Sequence, residues 1–339
     1  MISIKKHAKT IGKLIFVLIL IAAIVYTFKD SAGDILAQLK ETSLMVVLCI
    51  CLSSICYELV EGWITWAFAR VYNPEFKYWQ GVESAFYASF YRVATLGSGA
   101  GVAAIYYFNE KGVPYSKGTG LYTIEYMLHK VSIALFSGIL FLLNWTYMQK
   151  HYSKYDLTLL AGFGITFVIA LVLLLFACSA KFHELILWIV RKLNRSGKFT
   201  EQVQKLEEQC RILEDAAGTL LRRKGLIAGG ILKNFLKCVF WYGIPYLILR
   251  GAYDISLFQA LAVTSLAIML AAVIPAPAGI GSSEFVLTML LSVIIGTAEA
   301  GSVALLYRFA TFVLPFAVGA VVVLFRKKIH RKETKKEYT

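Results

Sequence analysis

Apolar runs of helical length alternate with short polar stretches along this chain. A bilayer core needs about 20 consecutive apolar helical residues. Candidate spans fall at 14–28, 43–69, 121–143, 157–177, 226–249 and 301–325. Two further apolar stretches, 79–108 and 257–296, are interrupted in their middles by glycine or proline. Helix broken at membrane depth exposes polar backbone, which must face protein or a wet cavity. The pattern predicts an all-α, polytopic helical membrane protein with two broken, re-entrant helical hairpins, in one domain over 1–339. Its halves share an order. Span 43–69, a break at Gly97-Ser98-Gly99-Ala100-Gly101 and span 121–143 are matched by span 226–249, a break at Pro275–Gly281 and span 301–325. An inverted repeat around broken helices is a transporter architecture; the likeness lies in pattern more than in residues.

The longest polar stretch, 178–224, holds Lys181, Arg191, Lys192, Arg195, Lys198 and Arg222-Arg223-Lys224. Within it Val203, Leu206, Cys210, Leu213, Ala217 and Leu220 recur at spacings of three and four. That spacing predicts an amphipathic helix, either lying at the membrane surface or acting as a connector. Lysine and arginine in short loops mark the cytoplasmic side. Lys5, Lys6, Lys9 and Lys13, the 178–224 loop and the 326–339 tail then all lie inside, with both termini cytoplasmic in the cell membrane. Re-entrant hairpins and pairs of short spans satisfy this charge rule equally. No convincing cleavage site follows the run Leu14–Tyr26, so a retained first span is favoured over a signal peptide.

Composition agrees. Of 339 residues 58% are hydrophobic and 17% charged, against about 25% charged in soluble domains. The net charge of +14 sits in loops and tails, which points to anionic headgroups and away from nucleic acid. Cys49, Cys51, Cys56, Cys178, Cys210 and Cys238 form no metal-ligand spacing and read as small buried hydrophobes. The five histidines are scattered, so neither a metal nor another cofactor is expected. No phosphate-binding Gly-x-x-x-x-Gly-Lys loop, His-Glu-x-x-His pair or Gly-x-Ser-x-Gly elbow is present, so an enzyme is not expected.

Pro275–Glu284 is the sharpest candidate site. Proline interrupts the helical ladder, and Gly279 and Gly281 admit backbone angles closed to other residues. Ser282, Ser283 and Glu284 then open a helix whose free amides suit an anion such as phosphate. A plain capped helix start, with Ser282 as cap, fits the same residues. Charges inside apolar spans usually face an interior or a water-filled path. Glu58 and Glu61 share a helix face, for a cationic headgroup or a proton, unless they simply pair with a lysine. Arg92 and Arg308 suit phosphate, whose oxygens the guanidinium fork grips in pairs, unless they neutralise Glu58 or Glu284. Glu125 and His129, four apart, are expected to pair locally, and Lys233 and Lys237 to snorkel toward the cytoplasmic face.

The run Ala271–Glu284, then Leu306-Tyr307-Arg308-Phe309 and Leu314-Pro315, resembles the lysylphosphatidylglycerol synthase transmembrane-region family. Its Pro-Gly-Gly-x-Gly-x-x-Glu pattern stands here as Pro277-Ala278-Gly279-Ile280-Gly281-Ser282-Ser283-Glu284, with Ala278 in place of one glycine. The family's first-half motif is only loosely met, by Gly97–Gly101 and Tyr106–Glu110. The resemblance implies a stand-alone, flippase-like member without the soluble synthase domain. Its substrate would be a membrane phospholipid or another lipid-linked headgroup. A homo-oligomer and a separate lipid-modifying enzyme are possible partners. Two rival functions remain at this point: an intramembrane transferase acting on a lipid phosphate, and a non-transporting accessory subunit of a surface-glycan or lipid-modification complex.

Overall fold

The computed structural model describes residues 32–194, 199–274, 276 and 279–337. The expected first span, 14–28, and Pro275, Pro277 and Ala278 lie outside the described residues. The chain is all α, with no β-strand among the described residues. In order come α1 (Ala32–Glu41), α2 (Leu44–Ala69), α3 (Tyr78–Ala94), α4 (Ala100–Glu110), α5 (Tyr115–Leu143), α6 (Trp145–Tyr152) and α7 (Asp156–Cys178). There follow α8 (Ala180–Leu193), α9 (Thr200–Leu220), α10 (Lys224–Tyr242), α11 (Ile244–Leu249), α12 (Leu257–Ala271), α13 (Ser282–Ile295), α14 (Thr297–Arg308) and α15 (Leu314–Glu337). A π-helical turn, Phe309–Val313, joins α14 to α15.

Among the described residues three continuous helices are long and apolar enough to cross a membrane: Leu44–Ala69, Tyr115–Leu143 and Thr297–Arg326. A fourth candidate is bent by 98° between Gly164–Phe176 and Ala180–Leu193. The protein is thus a multi-pass helical membrane protein. Both broken segments are present. The first divides into 17 and 11 residues (α3, α4) and the second into 15 and 14 (α12, α13). At about 1.5 Å per residue none of these reaches the ~30 Å of a hydrocarbon core. The two arms of each segment pack on one another.

Two expectations are corrected. The stretch 226–249 is not one span: α10 ends at Tyr242 and α11 begins one residue later. Pro245, at the start of α11, has no amide to give the preceding turn. The loop 178–224 contains a second helix, α8, whose start is capped by the Ser179 hydroxyl accepting from the Phe182 amide at 3.3 Å. The packing of α9 fits the connector alternative. Val203, Cys210, Leu213, Ala216 and Leu220 are buried, and Lys117 on α5 pairs with Asp215 on α9.

Small residues set the closest helix contacts, as in other membrane bundles. A Cβ on Gly81 of α3 would stand 2.2 Å from the Gly62 carbonyl oxygen of α2. One on Gly319 of α15 would stand 2.3 Å from the Phe86 carbonyl oxygen of α3. Two apolar cores result. One gathers α2–α5 and α9, the other α12–α14 with parts of α5, α6 and α10.

Candidate functional site

A cavity of about 300 Å³ is walled by parts of both cores. Tyr57 (α2), Arg92 (α3), His129 and Lys130 (α5), Cys238 and Trp241 (α10) contribute to its wall. Gly279, Ser282 and Ser283 come from the second break and the start of α13, and Arg308, Thr311 and Phe312 from the end of α14 and the π turn.

The local sequence explains how each polar group arrives. Gly279 (φ +71°) and Gly281 (φ +79°) take the left-handed backbone that lets the chain turn into α13. Gly281 itself occupies the cap position of α13. The expected Ser282 cap is therefore corrected: its hydroxyl instead donates back to the Gly279 carbonyl at 3.3 Å. The Ser283 hydroxyl lies 3.1 Å from that carbonyl and 2.6 Å from Glu284 Oε2, and donates to one at a time. Pro315 cannot supply an amide to the turn before it, and the ladder widens into the π turn just after Arg308. Thr311 fills part of the gap by donating its hydroxyl to the Tyr307 carbonyl at 2.8 Å.

Arg308 is 4% exposed. Its Nε lies 3.1 Å from Glu284 Oε1, and its guanidinium sits 3.8 Å from the centre of the Phe312 ring. Nη2 is buried without a hydrogen-bond partner among the described residues. Arg92 places its guanidinium 5.7 Å from the Trp241 ring centre, and its Nε is also buried without a partner. Trp241 stacks on Tyr57 with centroids 3.6 Å apart, and its indole N–H is a third buried donor lacking an acceptor. A buried donor left unpaired costs about 1–3 kcal/mol. Three of them on residues lining one cavity, two belonging to arginines, make a site suited to an anion with several oxygens, such as phosphate.

Arg92, Gly279, Ser282, Ser283 and Arg308 thus meet at one cavity, with Glu284 behind Arg308. Glu58 and Glu61 do not line it. Glu58 is 2% exposed and accepts from the Ser89 hydroxyl at 3.0 Å. Glu61 binds the Lys237 ammonium at 2.5 Å. Lys237 is therefore corrected: it is 1% exposed and does not snorkel. Its place in the sequence carried the signal, since it lies roughly three and a half turns inside α10, beyond easy reach of the helix's charged start. The expected Glu125–His129 pair is replaced by partners on other helices. Glu125 takes a long 3.4 Å contact from the Thr65 hydroxyl, and His129 Nδ1 lies 3.1 Å from Asn234 Oδ1. Tyr57, Trp241 and Phe312 were not anticipated. Aromatic residues are so frequent in this chain that no local pattern set them apart.

No curated protein matches the chain. A family profile described as the lysylphosphatidylglycerol synthase TM region matches residues 11–319. Together with the paired breaks and the Glu284–Arg308 ion pair at their cavity, that match places the chain in the lysylphosphatidylglycerol synthase transmembrane-region family.

Proposed function

We propose that the chain is a flippase-like lipid transporter of the cell membrane, with both termini cytoplasmic, that moves a phosphate-bearing headgroup through the cavity between its two broken segments. One observation carries this reading. Arg92, Trp241 and Arg308 line a single cavity with buried N–H groups that have no acceptor among the described residues. An anionic headgroup would satisfy them while its acyl chains stay in lipid, which lowers the cost of taking the polar end out of water. The re-entrant character of the broken segments and their inverted pairing belong to the same reading. So does the absence of chemistry on the lipid: transport leaves the substrate unchanged. A homo-oligomer, and a separate enzyme that supplies the lipid, are compatible partners.

Reconstitution in liposomes with headgroup-labelled phosphatidylglycerol tests it. The labelled lipid should redistribute between leaflets, with the same mass before and after. Arg308→Lys keeps the charge but loses the planar fork, and should weaken lipid binding about ten-fold, or ~1.4 kcal/mol. Redistribution no faster than in empty liposomes would remove the transport reading. A chemically altered lipid would instead support a transferase.

A further inference from the structure

A second group of charges, Lys237 buried and Glu61 and Glu125 half-buried, lies beside the cavity and takes no part in holding the headgroup. Glu61 (α2) and Lys237 (α10) form an ion pair at 2.5 Å, and Glu125 (α5) faces both. Glu58 and Glu284 are each held: Glu58 accepts from Ser89 and faces Arg92, and Glu284 accepts from Ser283 and pairs with Arg308. Neither Glu58 nor Glu125 has a cation within ion-pair distance among the described residues, but Glu58 has the Ser89 hydroxyl at 3.0 Å and Glu125 has no hydrogen bond as short. Its Oε1 is buried without a partner, and Oε2 has only the Thr65 hydroxyl at 3.4 Å. His129, one turn further along α5, lines the cavity and so connects the two regions. Tyr122, on its own helix, also lies near Glu125.

Charge balance gives this arrangement a consequence. Glu61 pairs with Lys237 and Glu284 with Arg308, so an ionised Glu125 is a negative charge beside the cavity without a counter-ion of its own among the described residues. A phosphate entering between Arg92 and Arg308 adds a negative charge to an enclosure of low polarity, where an uncompensated charge is costly. We propose that Glu125 is a proton-binding site coupled to the headgroup cavity, taking up a proton as an anionic headgroup enters and releasing it as the headgroup leaves. The proton goes from water to a Glu125 carboxylate oxygen, and no bond of the lipid changes. Coupling of this kind is reciprocal: the headgroup favours the proton as much as the proton favours the headgroup. It would allow a proton gradient to drive lipid movement, and it rests on the transport reading above.

Calorimetry of short-chain phosphatidylglycerol binding to the purified full chain, in two buffers of different ionisation enthalpy, measures the linked proton directly. The wild type should take up a proton, close to one per lipid bound. Glu125→Gln should bind the lipid and take up none. A pH-difference infrared spectrum gives an independent readout: the carbonyl band of a protonated carboxylic acid should be present in the wild type and lost in the variant. Lipid binding without proton uptake in the wild type, or uptake undiminished in Glu125→Gln, overturns the proton site and leaves the headgroup cavity standing. Absence of lipid binding overturns the headgroup reading and this one with it. A poorly folded Glu125→Gln would pass the test to Thr65→Val, which strips the only hydroxyl from Glu125 and should move the pH midpoint of uptake.

Discussion

The two broken segments interrupt their helices in opposite ways. In the first, the break between α3 and α4 closes on itself. The Thr95 hydroxyl donates to the Tyr91 carbonyl at 2.6 Å and accepts the Gly99 amide at 2.6 Å. The Gly97 amide returns to the Arg92 carbonyl at 2.7 Å, with Leu96 at φ +52° and Gly97 at φ +101° completing the turn. In the second, the break between α12 and α13 is longer, and several of its polar groups face the cavity. Gly279, Ser282 and Ser283 all line it, and Glu284 reaches across to an arginine on another helix. A break whose hydrogen bonds are made internally is a structural corner that presents one side chain, here Arg92. The second break also turns its Ser282 and Ser283 hydroxyls to the Gly279 carbonyl, but it does so on the cavity wall. On the transport reading proposed above, the segments divide the work: the first positions a cation, and the second meets the headgroup.

The comparison predicts where the molecule is brittle. Gly81→Leu should have the largest effect. Its side chain would begin 2.2 Å from the α2 backbone, which cannot give way as a flexible side chain can. A loss of about 3 kcal/mol or more is expected, with a lowered thermal midpoint in detergent. Gly279→Ala meets nothing nearer than the Ser282 hydroxyl at 4.0 Å, and its strain comes only from φ +71°. It should cost about 1 kcal/mol. If the two lose comparable stability, the contrast between a locked and an open segment is wrong. Thr95→Val comes next, removing a hydroxyl that serves one carbonyl and one amide at once. It should cost about 1–2 kcal/mol while the protein that remains folded still binds lipid; a weakened affinity at full stability would place the first break in the binding surface.

These differences were unequally legible in the sequence. Helix period and apolar length showed the long spans and both breaks, because each helix buries its own backbone hydrogen bonds wherever it packs. Gly279, Gly281 and Arg308 stood out for the same local reasons that the structure confirms, positive φ and a charge deep in an apolar run. The tertiary partners were not legible. Lys237 looked like a lysine near a helix start until Glu61 was placed 2.5 Å away, a contact between residues 176 positions apart. Likewise Glu125 and His129 had a natural partner in each other by spacing, yet Thr65 and Asn234 from neighbouring helices took them. The turn at Gly243–Pro245 does not show in the apolar pattern, because hydrophobicity runs straight through it.

The finest test exchanges the same hydroxyl in the two breaks. Ser98 lies in the first, is exposed, and donates to the Thr95 carbonyl at 2.9 Å. Ser283 lies in the second, lines the cavity, and has two acceptors for its single proton. Either alanine substitution removes one hydrogen bond of modest worth, so both proteins should keep their stability to within about 0.5–1 kcal/mol. Binding should separate them. Ser98→Ala removes nothing the headgroup touches and should leave the affinity for short-chain phosphatidylglycerol unchanged. Ser283→Ala withdraws a donor that can turn from Gly279 to a phosphate oxygen, and it also loosens the carboxylate that holds Arg308 in place. A loss near 1 kcal/mol corresponds to roughly a five-fold weaker affinity. Equal affinities for the two variants would mean that the second break, like the first, directs its hydroxyls inward and that the headgroup is held by the arginines alone.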